Sequence, residues 1–400
     1  MNRRLLTTAG ALLATGSLLL GACSSDDNDA GKAKSDNGEQ TATKLNTKLA
    51  SQVVDNYAEG VFASYSASVE SAKSLSTALK AFTASPSDVT LAAAKDAWVA
   101  GRTDYLPTEA FRFYDGPIDE PEDGPEGRIN AWPMDEAYVD YVTGPDGVEW
   151  VGIINDTATY PEITTDVLVE ANERDGEENI STGWHAIEFL LWGQDMSEDG
   201  PGNRPVTDYT TAQNADRRAT YLNLLGDLLV SDLESVATQW APDADNYRAS
   251  FVSDTNTAVS HMFRGVGALT VGELSGERIA VAVETQDQED EHSCFSDTTD
   301  NDIVGDITGI KAVLDGQFPG GVSGPGLAEL IKDVDSDTAT KLLASVGSNL
   351  DLAENLPAAF DVLLLNDTAP LDAIVDGLTE QGKLIASGAK KLGIEVDTGV

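Results

Sequence analysis

Residues 45–69 read LNTKLASQVVDNYAEGVFASYSASV, and this stretch decides the fold class. Leu45, Leu49, Val53, Tyr57, Val61 and Tyr65 recur every four residues, with Val54, Phe62 and Val69 widening the stripe. At about 3.6 residues per turn, that spacing gathers the apolar side chains on one face of a helix. Pro86 interrupts the pattern, Ser87 or Asp88 can cap the next helix, and DVTLAAAKDAWVAG (88–101) resumes it. Further helical segments are predicted at roughly 133–142 and 162–174, over ADRRATYLNLLGDLLVSDLESVATQW (215–240), and as one or two pieces in 246–285. Three more follow at about 327–333, 337–354 and 370–392, and VEWVGII (148–154) is the only strand candidate. The expected fold is therefore all-α: two helical-bundle halves, 45–205 and 206–400, with a duplicated unit as one way to build them. Long irregular loops separate the helices, notably 105–131, 286–302 and 316–326. The first holds several Pro and Gly with embedded aromatics, the mark of a functional loop rather than a disordered one.

Four hundred residues exceed one comfortable hydrophobic core, and 41% apolar content is enough to pack two. The formal net charge of −43 repels nucleic acid and anionic headgroups, which excludes DNA and RNA as partners, and it attracts cations. The chain opens with MNRR and then LLTTAGALLATGSLLL, a positive segment followed by an apolar run too short for a stable membrane span. LGAC (20–23) resembles a bacterial lipobox, which would make 1–22 a lipoprotein signal peptide and Cys23 the acylated mature terminus. Polar residues up to 44 then form a tether, and 45–400 the folded body. These readings place the protein in the cell envelope, anchored to a membrane by its N-terminal lipid. Cys294, the only other cysteine, is left with no intrachain partner, so neither a disulfide framework nor a Cys-based zinc site is available.

One of only three histidines lies inside GWHAIEFLLWGQD (183–195), a stretch apolar enough to be buried. His185 and Glu188, three apart, share a helix face, as a satisfied core pair or a metal-ligand pair would. HxxE is not the zincin HExxH, and two ligands on one helix need at least one or two more from elsewhere. His292 sits among Glu289, Asp290, Glu291 and Asp297, so His292 with Asp297 forms a second candidate cation site. His261, in AVSHMFRGVG, reads as a helix-packing residue, as do Trp184 and Trp192. No serine nucleophile elbow, P-loop or dinucleotide fingerprint is present.

Gly183, His185 and Glu188 resemble the GxHxxE motif of the imelysin-like family. TEAFRFYDGPID (108–119), PEGRINAWPMDEAYVDYV (125–142), RPVTDYTTAQNADRRATYL (204–222) and DEHSCFSDTT (290–299) resemble its iron-regulated protein A branch. The similarity covers roughly 45–400, with one departure: Thr299 and Asp300 stand where a histidine often follows SCFSD. The resemblance implies an all-α fold of two bundle-like halves with a site at the cleft. It implies His185 and Glu188 as metal ligands and Glu109, in TEAFRF, as a third. Arg112, three residues on, is positioned to orient that carboxylate, bind an anionic group or form a structural salt bridge. Carboxylates with one imidazole suit a divalent ion, iron first and zinc second. Two functions follow from the resemblance. One is a lipid-anchored protein that binds iron, another divalent metal or an iron-bearing ligand, in concert with an uptake permease. The alternative is an imelysin-type metallopeptidase in which Glu188 or Glu109 activates a metal-bound water.

Overall fold

The computed structural model describes residues 45–197 and 200–396. The predicted signal segment 1–22, the tether to 44 and Cys23 lie outside the described residues. The opening stripe forms the 38-residue helix Thr47–Ala84, started by the Asn46 side chain accepting from the Leu49 amide. Val53, Val54, Tyr57, Val61 and Tyr65 are fully buried, as the periodicity requires. Ser87 and Thr90 make a reciprocal capping box that starts Asp88–Tyr105. These two helices pack with Gly183–Trp192 and Ala215–Gln239 as one bundle. The Ala215–Gln239 helix, assigned from sequence to the second half, thus lies along the first helix and the His185 helix.

The second bundle contains a continuous helical rod, Thr255–Ala268, Leu269–Ala280 and Val281–Thr285, whose middle section is π-helical. Thr299–Asp315, Ser336–Glu354 and Ala369–Lys391 pack with it, supported by Leu327–Val334. The all-α expectation holds. None of the described helices is long and apolar enough to cross a membrane.

Local departures from expectation have readable causes. The strand predicted over 148–154 is only Gly147–Glu149, paired antiparallel with Val142–Gly144. Gly144, Pro145, Asp146 and Gly147 turn the chain into a hairpin, and a short helical turn, Gly152–Asn155, takes over the rest. The helices expected at 133–142 and 162–174 shrink to Glu136–Val139 and Thr165–Ala171. Residues 286–302 were expected to be irregular throughout, yet Thr299–Asp315 begins inside them. Its Gly305 and Gly309 are contact points: an added Cβ would lie 2.4 Å from Leu106 Cβ and 2.3 Å from the Pro107 carbonyl oxygen. The helix therefore presses against the 3₁₀ turn Leu106–Phe111, joining the second bundle to the loop that follows Asp88–Tyr105.

Candidate functional site

The site is built on the Gly183–Trp192 helix, all ten residues of which are buried. A helix apolar on nearly every side belongs inside a core, and this one packs against Asp88–Tyr105 and Ala215–Gln239, with Phe295 and Ser296 of the 291–298 loop on it as well. Gly183 has φ 84°, and a Cβ there would sit 2.5 Å from the Ile129 carbonyl oxygen, so only glycine lets the helix start this close to the 126–130 segment. Thr182 is the N-cap residue but makes no side-chain cap bond, and Gly193, at φ 76°, ends the helix.

His185 and Glu188 are each 0% exposed. Glu188 Oε2 and His185 Nδ1 share a hydrogen bond of 2.9 Å. The other oxygen, Oε1, accepts from the Ser296 amide at 2.9 Å and the Ser296 hydroxyl at 2.7 Å. Glu188 is therefore engaged through both oxygens, one of them on His185 Nδ1. His185 Nε2 is buried without any hydrogen-bond partner. Burial pushes Glu188 up to about 8 and holds the His185 imidazole well below its ordinary value. At neutral pH the pair is thus uncharged, with the Glu188 acid proton facing Nδ1 and the ring proton on Nε2. Freeing the Nε2 lone pair means releasing that ring proton and passing the acid proton to Nδ1, which then donates to the carboxylate.

A second imidazole completes the arrangement. The His292 ring lies 4.7 Å from the His185 ring, edge to face. Its Nδ1 pairs with Asp302 Oδ2 at 2.7 Å, and Asp302 also accepts from Ser293 Oγ at 2.6 Å and Arg102 Nη2 at 3.0 Å. Burial and the nearby Arg278 guanidinium push His292 down to about 4. Burial opposes ionisation of Asp302, but Arg102 and His292 outweigh it and keep the carboxylate charged. Both imidazoles are therefore neutral, each Nδ1 is engaged by a carboxyl group, and neither Nε2 is bonded to a described residue. An outer carboxylate on Nδ1 fixes tautomer and orientation when Nε2 serves as a metal ligand.

Of the residues named from sequence, the structure brings together His185, Glu188 and His292. Asp297 is half-buried in the same loop but is not the partner of His292, whose Nδ1 turns to Asp302 instead. Glu109, fully buried in Leu106–Phe111, sits in an adjoining ion cluster, where its Oε2 accepts from Arg112 Nη1 and Arg278 Nη2, both at 2.6 Å. Burial would raise its pKa, but the two guanidiniums hold it well below the carboxylate range. Arg112 also pairs with Glu126 at 2.9 Å. His261 lies on Thr255–Ala268 and stacks on Tyr114 with ring centroids 5.3 Å apart.

Sequence reasoning missed Arg278, Asp302, Ser296 and Trp132. Arg278 and Glu273 are five apart, which on an α-helix would separate them by about 140°. In the π segment, hydrogen bonded i→i+5, they stack and pair at 3.0 Å, and Arg278 Nη1 reaches Asp306 at 2.6 Å. The Trp132 ring lies 4.8 Å from His185 and 6.4 Å from His292. Trp132, His292, Arg112 and Arg278 line a cavity of about 480 Å³, which His185 does not line. An aromatic directly before Pro133, between the irregular 105–131 loop and the helix expected at 133–142, was the available signal for Trp132.

Residues 61–392 match the family model described as Imelysin (Peptidase_M75). The chain belongs to the imelysin family. It is also 25% identical over 296 residues to iron-regulated protein A of Synechococcus elongatus, covering 71% of this chain and 69% of that one. Two crystal structures share the fold. One, assigned to an iron-regulated protein A precursor of Parabacteroides distasonis, gives a TM-score of 0.70 at 18% identity, covering 88% of this chain and 97% of that one. The other, an imelysin-like protein of Psychrobacter arcticum, gives 0.66 at 14% identity, covering 89% and 99%. In this imelysin, Gly183, His185 and Glu188 lie on one buried helix packed between the first bundle and the 291–298 loop.

Proposed function

We propose that this imelysin is an envelope protein that captures iron, or a like divalent ion, as cargo at the His185–His292 pair. The observation that carries the reading is the pairing itself: two buried neutral imidazoles, rings 4.7 Å apart, each backed by a carboxyl group on Nδ1 and unbonded at Nε2 among the described residues. A buried imidazole nitrogen with no partner carries a cost that a bound cation would remove. The donor chemistry fits, since imidazole serves iron, zinc and their neighbours. Among the described residues no group of three or more His, Cys, Asp or Glu side chains forms a ready metal cage. The protein thus contributes two nitrogens and leaves the other positions to water or to ligands that travel with the ion. Glu188 and Asp302 would act behind the ligands, and Glu109 would hold the adjacent arginines. The name of the Synechococcus relative supports an iron context. The sequence of residues 1–44 supports a lipid anchor at Cys23.

Engagement of both Glu188 oxygens favours capture over peptide hydrolysis, because a general base must reach its water. The test is metal analysis and binding with the tether-free protein beside His185→Ala and His292→Ala, with helicity followed by circular dichroism. Each variant is expected to lose the ion and keep its helicity. Equal metal content in all three would overturn the reading.

A further inference from the structure

We infer that the cargo reaches this site as a free hydrated cation and not as an anionic chelate, because the cavity in front of His292 is a carboxylate-lined entrance. The inference rests on the capture reading above. Six carboxylates line the cavity, from Glu126, Glu173, Glu177, Glu273, Glu277 and Asp290, against two guanidiniums. Those guanidiniums are already committed: Arg112 to Glu109 and Glu126, Arg278 to Glu109, Glu273 and Asp306. An incoming anion would have to compete with these carboxylates for them. Glu173, Glu177 and Glu277 are exposed, so the mouth itself is negative.

A second feature points inward from the carboxylates. His292 is only 2% exposed, lines this same cavity, and has Nδ1 taken by Asp302, which leaves Nε2 without a partner among the described residues. His185 lies behind it and behind Trp132. A cation entering the mouth meets His292, which lines the cavity, before His185, which does not and whose ring lies 4.7 Å from that of His292. A cleft of one sign with low-dielectric walls raises the local concentration of the opposite charge and its association rate. The same field repels a carboxylate-rich chelate of net negative charge.

The test compares cobalt(II), whose visible spectrum reports imidazole ligation, with anionic ferric citrate. The protein variants are wild type, Glu173→Gln/Glu177→Gln/Glu277→Gln, and a control with three exposed carboxylates that do not line the cavity neutralised, Asp351→Asn/Glu354→Gln/Asp376→Asn. The entrance variant is expected to bind cobalt(II) about 10-fold more slowly at low salt, within the range known for steering. Its rate should depend less on salt, its stoichiometry should be unchanged, and the control should match wild type. Ferric citrate should bind none of them appreciably. Equal rates and salt slopes in the entrance variant and the control would overturn the inference, as would ferric citrate binding as tightly as cobalt(II). If cobalt(II) binds but is indifferent to His185→Ala and His292→Ala, the capture reading itself fails and takes the inference with it.

Discussion

Two buried ion clusters lie against the His185 helix. The Asp140 cluster closes every bond, and the His185 centre does not. Asp140 Oδ1 accepts from Asn155 and Arg218, and its Oδ2 from Arg204 and Arg218. Arg204 also donates to Asp208 and to the Phe189 carbonyl, Arg218 donates to the Asp208 carbonyl, and Tyr141 donates to Asp208. No side-chain atom of Asp140, Arg204, Asp208 or Arg218 is buried and unpartnered. At the other centre His185 Nε2, Asp302 Oδ1 and Asp306 Oδ1 are. Buried charge alone therefore does not set the two clusters apart; the buried polar atoms left without a partner do.

The comparison breaks most visibly at Asp140. Replacing it by Ala leaves Arg204 and Arg218, 4% and 0% exposed, facing each other without their shared carboxylate. Orphaning charges in a buried cluster costs about 3–5 kcal/mol. Urea denaturation of Asp140→Ala should show a loss of that size, while cation affinity of the folded fraction stays at the wild-type value. A loss under about 1 kcal/mol, below the usual cost of orphaning even one buried polar group, would mean the cluster is not what holds these segments.

At the open centre the expected effect is on affinity. In Glu188→Gln, the Ser296 amide and hydroxyl both donate to the position of Oε1, so the new carbonyl oxygen must stay there. The amide NH₂ then faces His185 Nδ1 and donates to it, which forces the ring proton onto Nε2. Cation affinity should fall about 10–100-fold, the usual loss when an outer-shell partner is removed. The urea midpoint should move little, and a variant that bound as well as wild type would remove Glu188 from the account.

Much of this was legible because helical periodicity reports burial directly. The stripe from Val53 to Tyr65, the Ser87 cap and the Gly193 stop all stand where the residues placed them. His185 and Glu188 were conspicuous for the same reason, as polar groups in an otherwise apolar helix. Three features were not legible. Gly305 and Gly309 look like helix breakers, yet they let Thr299–Asp315 approach the 106–111 turn, and that helix carries Asp302. Arg278 meets Glu273 only through π geometry, for which an α-helical period gives no hint. His292 was read with its loop neighbour Asp297, whereas its partner is ten residues away on the next helix.

A smaller effect separates the two regions by pH. Glu136 and Asp297 are both raised to about 7, chiefly by burial, helped by Glu289 for the first and Asp361 for the second. Both are protonated in either state only well below pH 4; between about 4 and 7 the folded protein keeps protons that the unfolded chain releases. Their contribution to stability therefore falls as pH rises through that window. Asp140 is depressed, its burial outweighed by Arg218 and Arg204, so its contribution is present at neutral pH and lost only as pH falls below the carboxylate range. Denaturation from pH 4.5 to 7.5 should show Glu136→Gln/Asp297→Asn gaining on wild type as pH rises. Asn is well tolerated at position 297, where φ is 53°. A constant difference across the range would show that these two acids titrate normally.

The finest distinction removes one hydroxyl from each cluster. Tyr141→Phe deletes a 2.7 Å bond to Asp208, and Ser296→Ala deletes a 2.7 Å bond to Glu188. Each variant should lose about 1 kcal/mol, the net worth of one such bond, with up to twice that where the acceptor is charged. In the closed cluster Asp208 keeps Arg204 at 3.0 Å, so the loss should appear in stability and nowhere else. In the open centre Glu188 Oε1 keeps only the Ser296 amide. A carboxylate with one donor fewer is a worse home for negative charge, so the proton shared with His185 shifts toward Glu188 and the Nε2 lone pair becomes harder to free. Ser296→Ala should therefore weaken cation binding several-fold in addition to its stability loss, and the weakening should shrink as pH rises above about 8, where Glu188 ionises of its own accord. Isothermal titration at pH 7 and pH 9 reads both quantities. Equal affinities for Tyr141→Phe and Ser296→Ala at pH 7 would mean that the two clusters differ in bonding but not in use.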